Sequence, residues 1–155
     1  MRGILINTYE KEVSDVLLPE EANEYWMDAV RLVLKCTMVQ YVGLAPHISM
    51  MIDEEGLLKY NQHFKFLESP IPFSGNAIII GLSHSTDEDG NSDFLSIPKD
   101  VSKDMIQEHL VWLGGDDALE RNIQKGIVFR PKTQMGGFGA PMETIWEWAP
   151  HSKPS

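Results

Sequence analysis

Three kinds of hydrophobic spacing succeed one another along the chain, and each predicts a different element. Near the start, Ile4, Leu5 and Ile6 lead into polar Asn7 to Glu12, and Val13 to Leu18 resumes an apolar pattern, which predicts a β-hairpin. Pro19, Glu20 and Glu21 follow. They suit a first helical turn, where proline gives up a donor that has no partner and carboxylates complement the positive end of the helix dipole. Ala22, Tyr25, Trp26, Ala29, Val30 and Val33 then recur three and four apart. A helix closed by Arg31 and Lys35 would lay this face, both aromatics included, against a sheet.

Two segments rich in β-branched and aromatic residues come next, Thr37 to Leu44 and Ile48 to Ile52, with Pro46 interrupting the pairing between them. The acidic stretch Asp53-Glu54-Glu55-Gly56 reads as a hairpin turn whose glycine supplies a positive φ, after which Leu57, Leu58 and Tyr60 resume. Residues 61–76 carry prolines and polar side chains without a clear period, and are expected to form a long connection packed by Phe64, Phe66, Ile71 and Phe73. Ala77 to Leu82, AIIIGL, is the most continuous apolar run, as a central strand buried on both faces requires. Residues 93–97 add a short strand.

Beyond Pro98 the apolar positions Val101, Met105, Ile106, His109, Leu110 and Leu113 predict a helix stopped by Gly114 and Gly115. A second helix should run from Asp116 or Asp117 to Lys125, with Gly126 in the left-handed conformation, followed by a strand at Ile127 to Arg130. In METIWEWAP, Thr144, Trp146 and Trp148 alternate with Glu143, Ile145 and Glu147, as an edge strand or aromatic arm would. The expected fold is α+β: a mainly antiparallel sheet with a helix packed on one face and a helical C-terminal extension. Residues 1–97 form the core domain and 98–155 the extension, packed on the same domain.

Charge narrows the partners. The chain has 155 residues, and its 23 acidic against 13 basic side chains give a formal charge of -10, which repels phosphate backbones. The tightest basic grouping, Arg130 and Lys132, is no basic run, so direct nucleic-acid binding is not expected. An acidic surface instead suits a basic partner, because opposite charge speeds encounter. Cys36 is the single cysteine, which excludes an intramolecular disulfide and suits a reducing compartment. Without a membrane-length apolar run or a signal-peptide core, the expected location is the cytoplasm.

The segment SHSTDEDGNSDFLSIP, residues 83–98, is the densest candidate for chemistry. Asp87, Asp89, Asn91 and Asp93 have the alternate spacing of a calcium loop, but Gly90 falls at its fourth position, Ser92 at its sixth, and Pro98 where a closing acid belongs. The stretch therefore reads as a solvated hairpin tip, paired in kind with the earlier DEEG turn. A metal-dependent hydrolase built on His84, Asp87 and Asp89 within residues 84–93 is the alternative. Gly81-Leu82-Ser83-His84-Ser85 lacks the second glycine of a nucleophile elbow. His47, His63, His109 and His151 stand apart in sequence without metal-ligand spacing and read as surface or boundary residues.

Gly136-Gly137-Phe138-Gly139 lacks phosphate-loop spacing, though a small-ligand or nucleotide pocket beneath it is a further alternative. Trp146 and Trp148, set between carboxylates beside that loop, could anchor a partner. No catalytic residue, metal ligand or cofactor is assigned.

Three segments in order, MRGILINTYEKEVSDVLLPEE, MMIDEEGLLKYN and PFSGNAIIIGLSHSTDEDGNSDFLSI, resemble domain-of-unknown-function family 3846, short proteins found largely in phages and mobile elements. The resemblance covers residues 1 to about 97 and carries no established activity or catalytic set. It implies a phage-like accessory role. Together with the charge, the expectation is a non-enzymatic acidic binding protein, an accessory or anti-defence inhibitor acting by protein–protein contact in the host cytoplasm. Its partner would be a host or defence protein with a basic surface, met by Asp87, Glu88, Asp89, Asp93, Trp146 and Trp148. Homo-oligomerisation is left open.

Overall fold

The uninterrupted apolar run at 77–82 becomes the centre of the protein. In the computed structural model, which describes residues 1–20, 24–86, 92–132 and 147–148, the elements follow in this order. They are β1 (Arg2–Asn7), β2 (Glu12–Leu17), α1 (Glu24–Leu34), β3 (Val39–Ala45), β4 (Ile48–Asp53), α2 (Gly56–Lys59), β5 (His63–Phe66), β6 (Phe73–Ser74), β7 (Ala77–Thr86), β8 (Ser92–Leu95), α3 (Lys103–Glu108), β9 (Leu110–Gly114), α4 (Asp116–Gln124), β10 (Pro131–Lys132) and β11 (Glu147–Trp148).

β7 lies in the middle of a six-stranded antiparallel sheet ordered β2-β1-β7-β4-β3, with β8 pairing the later part of β7. Ile79 stands opposite Ile4 on one side and Met50 on the other. Alternation then sends its side chains to two different cores. Ile78 and Ile80 pack with Trp26, Val30 and Leu34 of α1. Ala77 and Ile79 pack with Phe64, Phe66, Phe73, Ile97 and Ile106 on the opposite face. Both faces of the sheet are thus covered, one by α1 and the other by a three-stranded sheet, β6-β5-β9, together with α3. This burial on both faces is why β7 tolerates no polar residue along its first half.

The class is α+β with mostly antiparallel sheet, and the hairpin, the central strand and the body of the first helix stand where the spacing puts them, although α1 begins at Glu24 and Pro19 and Glu20 lie outside it. Several details differ. Tyr25 does not join the core: one residue step of 100° carries it off the face that buries Trp26, and it is 69% exposed. The DEEG stretch is no hairpin tip, because Gly56 starts the single turn of α2 and has no positive φ. A Cβ at Gly56 would come within 2.8 Å of the Ser74 carbonyl oxygen, so close approach explains that glycine. Residues 61–76 are partly ordered as β5 and β6, with Phe64, Phe66, Ile71 and Phe73 buried as the composition suggests.

The helix beyond Pro98 is confined to α3, capped by the Ser102 hydroxyl accepting from the Met105 N–H. Leu110 to Gly114 forms a strand, because β5 offers an open edge where Phe64 pairs with Trp112 and Phe66 with Leu110. Gly126 has φ 78, as the end of α4 requires, but Ile127 to Arg130 is not a strand: its N–H groups turn to Asn122 and Pro70 carbonyls instead.

Candidate functional site

The side chains best organised for recognition gather where α1 and β4 end. Ser49, Met51 and Asp53 alternate on β4, and Met51 belongs to the core under α1, so Asp53 is drawn in on the same side. It is 2% exposed. Oδ1 accepts the Glu55 N–H at 2.9 Å, while Oδ2 accepts Lys59 Nζ and the Tyr60 hydroxyl, both at 2.7 Å. The turn of α2 brings those two donors back over the carboxylate. Tyr60 is held from two further sides: its ring meets Tyr9 edge-on at 6.1 Å, and a Cβ at Gly75, whose φ is +81, would lie 2.5 Å from it.

Burial first, and then the Asp53 hydrogen bond, raise the Tyr60 hydroxyl well above its ordinary range. The hydrogen bond to Asp53 likewise raises the Lys59 ammonium, outweighing the desolvation that lowers it. Near neutral pH the first is therefore a phenol and the second a cation. Their chemistry is donation and charge, not proton abstraction.

Lys59 also borders an open groove of about 550 Å3, whose other walls are Asp28, Arg31, Leu32, Lys35, Cys36 and Thr37. Arg31 is fixed across the end of α1, with Nε donating to the Thr37 carbonyl at 3.1 Å and Nη1 paired with Asp28 at 3.3 Å. The helix stops in a paired-carbonyl motif in which the Cys36 N–H reaches the Arg31 carbonyl and the Lys35 N–H the Leu32 carbonyl. Lys35 occupies the left-handed position of that motif, φ 57, which glycine usually fills. Burial and nearby Asp53 push the Cys36 thiol up, against Lys59 and Arg31, so it stays protonated near neutral pH.

A second constellation imitates a catalytic relay. His63 Nδ1 lies 2.7 Å from Ser74 Oγ and Nε2 lies 2.7 Å from Asp116 Oδ1. His63 and Ser74 are cross-strand partners, 1% and 2% exposed, so no substrate reaches the hydroxyl. The histidine ties the start of α4 to the small sheet. It is a buried connector, where the sequence suggests a surface or boundary residue.

Asp87, Glu88, Asp89, Gly136, Gly137, Phe138, Gly139 and Trp146 lie outside the described residues, as do Asn91 and His151. Asp93 falls within β8, and Trp148 within β11, opposite Pro131. Ser83, His84 and Ser85 continue β7, so no strand-to-helix turn presents a serine there; a Cβ at Gly81 would lie 2.6 Å from the Ser96 carbonyl oxygen. Among the described residues no group of three or more His, Cys, Asp or Glu is placed to hold a metal ion, and no helix is long and apolar enough to cross a membrane.

The structure thus brings together a set that sequence reasoning passed over: Arg31, Lys35, Asp53, Lys59 and Tyr60. One signal was available. The apolar face of α1 ends at Leu34 with no glycine after it, which leaves Lys35 to make the turn. No protein-family model, curated protein or solved structure matches the chain.

Proposed function

We propose that the chain is a non-enzymatic protein-binding module, of the phage accessory or anti-defence type that its resemblance implies, and that it meets its partner through the outward face of α1. What carries the reading is the exposure of two large apolar side chains on that face, Tyr25 at 69% and Leu32 at 78%. Seven positions apart, they stand almost one above the other after two helical turns. Asp28, Arg31 and Lys35 surround them, and Met38, also exposed, follows the helix. Apolar anchors ringed by polar side chains have the anatomy of a protein interface. Single exposed hydrophobics are ordinary, but aligned ones on a helix already packed on its other side support a use.

The net charge of -10 adds long-range steering toward a partner with a basic surface, to which Asp87, Glu88, Asp89 and Asp93 would contribute. A photo-reactive residue placed at position 32, at position 25, or at exposed position 111 on β9 tests the reading in host-cell lysate. Adducts of one and the same protein are expected from positions 25 and 32 and not from 111. Identical adduct patterns at all three positions, or none at any, would remove α1 as the contact surface.

A further inference from the structure

We infer that the outer edge of β3 is a self-association surface, on which β3 of a second copy of this chain adds antiparallel and joins the two larger sheets into one. This goes beyond the α1 reading and does not depend on it. β3 ends the strand order β2-β1-β7-β4-β3, and among the described residues it pairs with β4 alone. Two contacts fix the direction of its backbone groups. The Glu54 N–H donates to the Met38 carbonyl at 3.0 Å, and the Ser49 hydroxyl donates to the Val42 carbonyl at 3.4 Å. Groups turned toward one neighbour alternate along an antiparallel ladder, so Met38, Gln40 and Val42 face β4 while Val39, Tyr41 and Gly43 face away. The outward N–H and C=O groups of those three residues have no backbone partner among the described residues. Donors and acceptors in such a row are matched by an extended strand.

Charge decides which edge can meet a second copy. Two chains of charge -10 repel, so they come together only where the contact itself carries no charge. From Thr37 to Ile52 there is no Asp, Glu, Lys or Arg, so β3 and its neighbour β4 make a neutral edge. The opposite edge, β2, holds Glu12 and Asp15, and a second copy there would set carboxylates against carboxylates. Charged side chains are an ordinary protection of an exposed edge, and β3 lacks them. Gly43 adds an independent argument. It is exposed, its φ is not positive, and no described atom lies within 4 Å of where its Cβ would stand, so neither turn geometry nor crowding inside the chain calls for glycine. The irregularity between Gly43 and Ala45 does not call for it either, since the bulge that requires glycine holds it in the left-handed conformation. Glycine within a strand marks the close approach of another backbone. With a two-fold axis at Tyr41, Gly43 stands opposite Val39 of the second copy, and every outward residue falls in a hydrogen-bonded pair.

Sedimentation equilibrium of the full chain across a range of concentrations tests this, with amide hydrogen exchange read at the same concentrations. A monomer–dimer equilibrium strengthened by salt is expected, the amides of Val39, Tyr41 and Gly43 exchanging more slowly as the dimer forms and those of β2 unchanged. Gly43→Glu and Gly43→Lys should each weaken dimerisation about tenfold or more, although the second reduces the overall negative charge, and neither should melt below the wild-type monomer. Glu12→Lys on β2 should not weaken it. A chain monomeric at every concentration would overturn the inference, as would a dimer equally stable in both Gly43 variants. A dimer lost in Leu32→Ser but kept in Gly43→Glu would assign self-association to α1 instead. If a peptide of alternating threonine and valine protects the same amides in a chain that stays monomeric, the edge takes a foreign strand and the second-copy assignment falls.

Discussion

Replacing Asp53 with alanine removes one carboxylate and strands three donors, and the magnitude of the damage follows from where each donor sits. Hydrogen bonds to a charged group are worth about 1.5 to 3 kcal/mol each by deletion, less where water or another acceptor replaces the lost carboxylate. Lys59 has a side chain 39% exposed, so water replaces its lost partner and it contributes under about 1 kcal/mol. The Tyr60 hydroxyl has the Leu34 and Lys35 carbonyls at 3.4 Å as poor substitutes, so its loss counts for about 1 to 1.5 kcal/mol. The Glu55 N–H loses the acceptor that shapes the turn into α2, at a similar cost of about 1 kcal/mol. Asp53→Ala should thus destabilise by about 3 kcal/mol, and Tyr60→Phe alone by about 1.5 kcal/mol. If the hydroxyl acts through the carboxylate, the double variant costs little more than Asp53→Ala, a coupling of about 1 kcal/mol. Urea unfolding followed by tryptophan fluorescence reads all three, with Trp26 stacked on Phe94 as reporter. Additivity within about 0.4 kcal/mol, or a cost for Asp53→Ala below about 1 kcal/mol, would show that the carboxylate does not organise the turn.

The same network makes the stability of the fold depend on pH in the alkaline range. Tyr60 is raised from 10.0 and Lys59 from 10.5, so in the folded chain both keep their protons to higher pH than in the unfolded one. Their contribution is complete below about pH 10 and is lost as pH climbs beyond it, so thermal stability should fall more steeply above pH 10 in wild type than in Asp53→Ala. Parallel melting curves across that range would contradict the assignment. Gly75→Ala should cost about 2 kcal/mol or more, because φ +81 strains alanine and its Cβ would enter the Tyr60 ring. A melting temperature equal to wild type would mean that Tyr60 moves aside freely.

What the sequence discloses and what it conceals divide along one line, the range over which the deciding interaction acts. AIIIGL declares β7 because a strand buried on both faces has no polar position to offer, and Trp26, Val30 and Leu34 declare the face of α1 by their spacing of four. Tyr25 is misplaced by a single helical step, the limit of what a pattern three and four apart resolves. Leu110 and Leu113 fit a helical pattern as well as a strand, and the open edge of β5, far earlier in the chain, decides between them. His63 looks solitary because Ser74 is 11 and Asp116 is 53 positions away. Asp53 misleads most. In D-E-E-G a carboxylate has the look of solvent, and only the return of Lys59 and Tyr60 across α2 makes its burial tolerable.

The cations at the end of α1 have an explanation within the helix, since basic residues in a last turn complement the negative end of the helix dipole. That accounts for Arg31, which lies within the turn, is directed at the Thr37 carbonyl and needs no unusual backbone. It does not account for lysine at the left-handed position that follows, where the dipole term is about 0.3 to 1 kcal/mol and screened by salt while the cost of φ 57 is about 1 kcal/mol and is not. Raising the ionic strength therefore tips the balance against lysine: Lys35→Gly should gain stability relative to wild type as salt is added. Lys11 at φ 55 and Leu67 at φ 56 carry the same backbone cost in turns of their own, so salt dependence that is confined to Lys35→Gly would locate the dipole contribution at the end of α1.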